Sequence, residues 1–179
     1  MVLIIHILYI VIMIIISIFD YIYYRIPNII VILLISISLI SMIVLHGTYG
    51  IMLCFLGIAL GMSFLLIPYI LGGMAAGDVK LMGAVGAALG PSGVIVAFLY
   101  SAIAGGVYAL ILMLIGRAGD FPKRLGNTLT TLYYTRQFIY DKPQRPEQQV
   151  KLCYGVAIAA GSILYIVLDM TGTGQLVQF

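Results

Sequence analysis

Charged residues are scarce in this sequence. Aspartate, glutamate, lysine and arginine make up 8% of its 179 residues, compared with about 25% in soluble globular domains. Hydrophobic residues make up 63%. So little charge excludes a water-soluble domain, and we predict an integral membrane protein.

Cysteine and histidine are also rare. The two cysteines, Cys54 and Cys153, lie in apolar segments and form no Cys-x-x-Cys pair, which excludes a disulfide framework and a zinc ribbon. The two histidines, His6 and His46, are predicted on the outer side of the membrane. Because a catalytic zinc takes three protein ligands, we expect neither a metal nor any other cofactor.

Basic residues are few but strongly clustered. Seven of the nine lysines and arginines fall between Arg117 and Lys151. No nucleic-acid-binding motif accompanies them, so we expect no nucleic-acid partner. A basic loop beside membrane helices instead indicates the cytoplasmic side. Attraction to anionic lipid is its simplest role, and direct substrate binding is the alternative.

This basic loop, residues 117–150, also carries a stripe of mainly apolar and aromatic side chains at spacings of three and four. The stripe predicts an amphipathic helix on the cytoplasmic membrane surface, with a loosely ordered tether as the alternative. Its residues are Leu125, Leu129, Leu132, Tyr133, Arg136 and Tyr140.

Several apolar segments have the length of a membrane span, which takes about 17 to 25 helical residues. Five such segments cover residues 2–19, 29–45, 51–71, 94–115 and 152–168. A sixth, residues 79–89, is too short to cross unaided at about 1.5 Å per residue. The first segment lacks the basic flank and cleavage site of a secretory signal, so we predict that it is retained.

Loops with basic residues alternate with loops that have none. Arg25, Lys80 and the basic loop follow the first, third and fifth spans, whereas residues 46–50 and 90–93 contain no lysine or arginine. This alternation places the odd-numbered loops in the cytoplasm and requires residues 79–89 to cross. We therefore predict an all-α integral protein of the inner (cytoplasmic) membrane. Residues 1–179 form a single domain, a six-transmembrane-helix bundle with a short fourth span, a cytoplasmic amphipathic helix and both termini outside.

Small residues in the later spans recur at intervals of four, a spacing that lets membrane helices approach closely. We therefore predict close packing among spans three to six. The pairs are Gly57 and Gly61, Gly83 and Ala87, Gly86 and Gly90, Ser101 and Gly105, and Gly155 and Ala159.

Two of the six acidic residues, Asp20 and Asp78, lie at the cytoplasmic ends of apolar spans. The predicted topology puts them at the same membrane depth, where their carboxylates can meet. The structural alternative is that Asp78 caps the helix that follows it and that Asp20 closes the first span. Around Asp78, the absence of side chains at Gly72, Gly73 and Gly77 favours a broken helix beside a wet cavity.

Two carboxylates around one water can carry out general acid and base hydrolysis. No serine in a nucleophile elbow and no cysteine with a histidine partner offers another route at the inner face. A small proton- or cation-coupled transporter is the competing interpretation of both aspartates. A structural scaffold is a third, which predicts that asparagine could replace either aspartate.

At these residues the chain resembles the short-form type IV prepilin peptidases, including those of tight-adherence pilus systems, and their archaeal preflagellin relatives. One part of the resemblance is Asp20-x4-Arg25-Ile26-Pro27-Asn28. The other is Gly77-Asp78-Val79-Lys80, which resembles the family's Gly-x-Gly-Asp-x-Lys signature. Ala75 stands where that signature has its first glycine, so position 75 does not require a conformation reserved for glycine.

The resemblance implies an aspartic endopeptidase that removes the short basic leader of a type IV prepilin or pseudopilin at the cytoplasmic face. Asp20 and Asp78 would be its catalytic pair. Full-length relatives that also methylate the new terminus carry a cysteine-containing region between the first two spans. Here only residues 21–28 lie there, so N-methyltransferase activity is not expected. The supporting residues would be Gly73, Gly77, Lys80, Arg25, Pro27 and Asn28.

Overall fold

The structure is a computed structural model that describes residues 2–70, 74–115 and 153–171. The regular structure of these residues is helical throughout: α1 (Val2–Tyr23), α2 (Asn28–His46), α3 (Thr48–Ile70), α4 (Ala76–Leu114) and α5 (Tyr154–Met170). The prediction of an all-α protein is thereby confirmed. Gly73, the basic loop and its expected amphipathic helix lie outside the described residues.

The chain divides into two units, residues 1–105 with 153–179, and residues 106–152. Apart from the last residues of α4, the described helices belong to the first unit. Four of them are long and apolar enough to cross a membrane, and α5, with 17 residues, is a shorter apolar helix. The expected fourth and fifth spans lie in one 39-residue helical element, α4, which contains two helices joined at a kink.

The α4 element changes direction at Gly90, whose backbone angles (φ 69°, ψ −176°) are not helical. Tyr154 shows the consequence. Its ring lies against Gly105, and it interacts electrostatically with Asp78. In a straight helix, Asp78 and Gly105 would be about 40 Å apart at 1.5 Å per residue. The first arm of α4, residues 76–89, and the second arm, from residue 91 as far as residue 105, therefore fold back on each other.

Missing side chains let the arms of α4 pack closely against neighbouring helices. Gly57 on α3 lies against the backbone of Gly86, with too little space for a Cβ atom, and Gly61 lies in the same way against Met82. The predicted close packing is thus confirmed for Gly57 and Gly61. Since helices in lipid gain little from the hydrophobic effect, such backbone contact is a main source of their association.

Only one face of α1 is buried, although apolar residues occur on every side of this helix. Tyr9, Met13, Ile16 and Asp20 are buried, at spacings of four, three and four. This is the period of one helix face. The opposite face of large exposed side chains is the lipid-facing one; it comprises Ile4, Ile7, Val11, Ile14 and Ile18. Asp20 thus continues the stripe that packs into the bundle.

We predict that Gly90→Ala destabilises the protein by about 1–3 kcal/mol, because the Gly90 backbone occupies a region that is essentially restricted to glycine. Space is not the reason, since an added Cβ would meet only Met42 Cε at 3.8 Å. Thermal unfolding of the purified protein in detergent measures the effect.

Gly106→Ala is the matched control for this change, because Gly106 is helical and no atom of the described residues lies within 4 Å of an added Cβ. It should melt at or above the wild-type temperature, since alanine favours a helix over glycine by about 1 kcal/mol. A Gly90→Ala protein that melts like the wild type would contradict the proposed strain.

Candidate active site

Asp20 lies in the last turn of α1, with only 6% of its surface exposed. The helix ends just after it, because Tyr24 adopts a positive φ of 51°. The Tyr24 backbone N–H still donates to the Asp20 carbonyl oxygen at 2.9 Å. This turn leads into the short Arg25–Pro27 segment, and Pro27, with an extended backbone, precedes the first residue of α2. The turn at Tyr24 therefore ends α1 just after the buried Asp20, and the residues that follow stay close to it.

Asp78 lies in the first turn of α4 and is 5% exposed. Its Oδ2 accepts a hydrogen bond from the Ala75 backbone N–H at 3.2 Å, and its own N–H donates to the Ala75 carbonyl at 3.1 Å. This reciprocal contact stabilises the start of a helix. Helix capping thus accounts for Asp78 Oδ2. It does not explain why a second carboxylate, that of Asp20, is buried nearby.

The two aspartates lie at the same end of the bundle. Asp20 and Asp78 interact electrostatically, although 58 positions separate them in the sequence. Asp20 Oδ2 is buried and accepts no hydrogen bond from any residue in the described ranges. A buried carboxylate oxygen without a protein partner is costly.

Five of the supporting residues expected from the sequence lie within the described ranges: Arg25, Pro27, Asn28, Gly77 and Lys80. Lys80 Nζ donates to Asn28 Oδ1 at 3.2 Å, which joins the segment after α1 to the first turns of α4. Pro27 and Gly77 are half-buried, and Arg25 is exposed. These neighbours bring the two sequence motifs to one place.

Ile26 belongs to the first motif, but the sequence pattern predicts no role for it. An added Cβ on Gly77 would lie 3.5 Å from Ile26 Cβ, and one on Gly155 would lie 3.1 Å from Ile26 Cδ1. Ile26 therefore packs between a neighbour of Asp78 and a neighbour of Asp20. Its position inside the Arg-Ile-Pro-Asn segment was the only available signal.

The start of α5 also reaches the pair. The backbone N–H groups of Gly155 and Val156 face the Asp20 carboxylate, and Tyr154 interacts electrostatically with Asp78. Sequence analysis interpreted Gly155 only as a small residue for helix packing and assigned Tyr154 no role. No local pattern connects residues 154–156 to a carboxylate more than 130 positions earlier.

This arrangement can supply an acid and a base but offers little to a metal. Within residues 2–70, 74–115 and 153–171, no three histidine, cysteine or acidic side chains come together. Two neighbouring carboxylates that share one proton can activate a water molecule and protonate a leaving group. The chemistry that this geometry fits is hydrolysis.

The contact between Lys80 and Asn28 predicts measurable coupling between the two motifs. Asn28→Leu and Lys80→Met should each lower stability by about 1 kcal/mol or less, because the pair is exposed to solvent. The double variant should lose less than the sum of the single losses. Chemical or thermal unfolding of all four proteins tests this, and strict additivity would show that the contact contributes nothing.

One protein family has a sequence model that matches residues 7–110 of the chain. It is the type IV leader peptidase family, and the matched region includes both Asp20 and Asp78. Because the match spans more than half of the chain, the protein belongs to this family. No curated protein and no solved structure matches it.

Proposed function

We propose that this member of the type IV leader peptidase family is an aspartic endopeptidase whose catalytic pair is Asp20 and Asp78. Its substrate would be a type IV prepilin or pseudopilin, from which it removes the short basic leader. The observation that carries the proposal is the burial of both carboxylates at one end of the bundle, where they interact electrostatically. Membership of the type IV leader peptidase family favours an endopeptidase over a small transporter.

In the proposed reaction, the ionised carboxylate takes a proton from water, and the water oxygen attacks the scissile carbonyl carbon. The protonated carboxyl group donates its proton to the developing oxyanion. As the tetrahedral intermediate collapses, the carbon–nitrogen bond breaks and the amine leaves with a proton returned through the pair. No covalent enzyme intermediate forms, and one water molecule is consumed for each peptide bond.

The substrate must be extended to react, because a helix hides its carbonyl groups in internal hydrogen bonds. Irregular backbone is tolerated at membrane depth where it borders a wet cavity. Residues 25–27, which have no regular secondary structure and an extended backbone at Pro27, and the turn at Ala75 flank the pair. They support a site where a second extended chain can lie.

Exposed basic side chains support a cytoplasmic position for this site. Arg25 and Lys80 both lie at the end of the bundle that holds the aspartates, and basic residues favour the cytoplasmic side. In this orientation the two arms of α4 cross separately, which gives six crossings of the inner membrane. The tight-adherence subtype, suggested by the short connection between α1 and α2, is part of the same proposal.

That short connection also leads us to propose peptidase activity without N-methyltransferase activity. Residues 24–27 are all that separate α1 from α2, and they contain no cysteine. Incubation of the purified protein with prepilin and a methyl donor should yield a cleaved, unmethylated product by mass spectrometry. A methylated terminus would refute this part of the proposal.

Asp20→Asn and Asp78→Asn should each abolish leader removal, because asparagine can neither accept nor donate the required proton. We expect losses of at least about 1,000-fold. One general acid or base typically contributes about 10²–10⁴-fold, so this loss lies above the lower end of that range. The measurement is the mass of a co-expressed prepilin, at equal membrane abundance of each variant.

Asp169→Asn is the matched control, since Asp169 is an exposed aspartate near the far end of α5. It should leave cleavage unchanged. Normal cleavage by either Asp20→Asn or Asp78→Asn would refute the catalytic assignment and return the transporter to consideration.

Cleavage should also show a bell-shaped dependence on pH, because the reaction needs one protonated and one ionised carboxyl group. Activity should fall at low pH, where both are protonated, and at high pH, where both are ionised. Rates of the purified enzyme in detergent, measured with a fixed prepilin between about pH 4 and pH 9, test this. A flat profile would contradict the shared-proton mechanism.

A further inference from the structure

The start of α5 lies against the carboxylate of Asp20. An added Cβ on Gly155 would lie 2.8 Å from Asp20 Oδ2 and 2.9 Å from Asp20 Cγ. Real Cβ atoms essentially never come that close to another heavy atom, so any side chain at position 155 would force something to move. Gly155 is therefore in direct contact with a proposed catalytic group.

The group that would move is the carboxylate rather than the helix. The Asp20 carboxylate is the end of a side chain with rotatable bonds, whereas α5 is held along its length. Gly161, two turns further on, lies against the backbone of Ser101 without space for a Cβ. The Tyr154 ring packs on Gly105. Both contacts fix the start of α5 relative to the second arm of α4.

Backbone donors at the same place hold the carboxylate. The N–H groups of Gly155 and Val156 lie beside Asp20, and the Val156 N–H also donates to the Cys153 carbonyl oxygen at 3.2 Å. A helix N-terminus also favours a negative charge. Despite these donors, Asp20 Oδ2 has no hydrogen-bond partner among the described residues. The same oxygen is the atom nearest to an added Cβ on Gly155, so the start of α5 confines the carboxylate by direct contact.

We propose that Gly155 is a positioning residue for the reaction: the start of α5 forms a third wall of the active site and sets the orientation of the Asp20 carboxylate. This inference rests on the proposed function, because it assumes that Asp20 is catalytic. Gly155 lies outside the matched region, residues 7–110, so the family match assigns it no role. The proposal adds a third chain segment to a site otherwise built from the first and second motifs.

Gly155→Ala should lower kcat for prepilin cleavage by about 100-fold, the effect expected from a displacement of about 1 Å in a reacting group. KM should change little, because the substrate does not bind through this side chain. The pH profile should shift, since the Asp20 carboxylate leaves its backbone donors. A purely structural role would alter the amount of folded enzyme but neither the kcat per folded molecule nor the profile.

Two other glycines provide controls. Gly161→Ala, on the same helix, should lower the melting temperature, and this loss measures how much stability a close backbone contact of α5 contributes. Gly106→Ala, which has open space, should resemble the wild type in both respects. An unchanged kcat and profile in Gly155→Ala would refute the positioning role.

A double variant covers the case in which Gly155→Ala fails to fold. Asp20→Ala removes the carboxylate atoms that the new methyl group would meet. Asp20→Ala/Gly155→Ala should therefore melt no lower than Asp20→Ala alone, although Gly155→Ala melts below the wild type. If the Gly155→Ala loss is equally large in both backgrounds, the collision involves other atoms, such as Ile26 Cδ1 at 3.1 Å, and the proposal is wrong.

The same series separates this inference from the function on which it rests. Asp20→Asn that cleaves normally refutes the aspartic mechanism. Inactive Asp20→Asn together with fully active Gly155→Ala refutes only the role of Gly155. Loss of activity in both, with a shifted pH profile for Gly155→Ala, supports both proposals.

Discussion

Two carboxylates buried at one end of an apolar helix bundle are the constraint on which the rest of this structure depends. A carboxylate removed from water is strongly destabilised unless hydrogen bonds or dipoles replace its hydration. Asp20 and Asp78 are both about 95% buried, and they lie near enough to repel when both are ionised. The surrounding structure must compensate for this burial, and the compensation comes mainly from the backbone.

Two helix N-termini converge on the pair. Asp78 lies in the first turn of α4 and accepts a hydrogen bond from Ala75. Asp20, on the last turn of α1, faces the first-turn N–H groups of α5. Each carboxylate thus meets the positive end of a helix dipole. Because backbone donors bring no bulk and no counter-charge, the remaining oxygen atoms stay available for chemistry.

Close packing of small residues makes this convergence possible. The reversal at Gly90 returns α4 to the end where it began, so its second arm supports α5 through Gly105 and Ser101. The first arm is held against α3 at Gly57 and Gly61. Without the reversal, the start of α5 would lack its contact with Gly105. The geometry of the acidic site therefore depends on a residue about 12 positions from Asp78, or about 18 Å along the helix.

The amino-acid sequence by itself determined the class of the protein, its family and the two acidic positions. Composition decides membrane residence without any tertiary information, and the Arg-Ile-Pro-Asn and Gly-Asp-x-Lys segments are local motifs. Tertiary structure decided which face of α1 is buried, because lipid accepts apolar side chains as readily as the interior of a helix bundle does. It also decided that α4 folds back at Gly90 and that Ile26, Tyr154 and Gly155 lie beside the aspartates. Contacts between residues more than 130 positions apart depend on how the helices pack, and no periodicity within one segment records them.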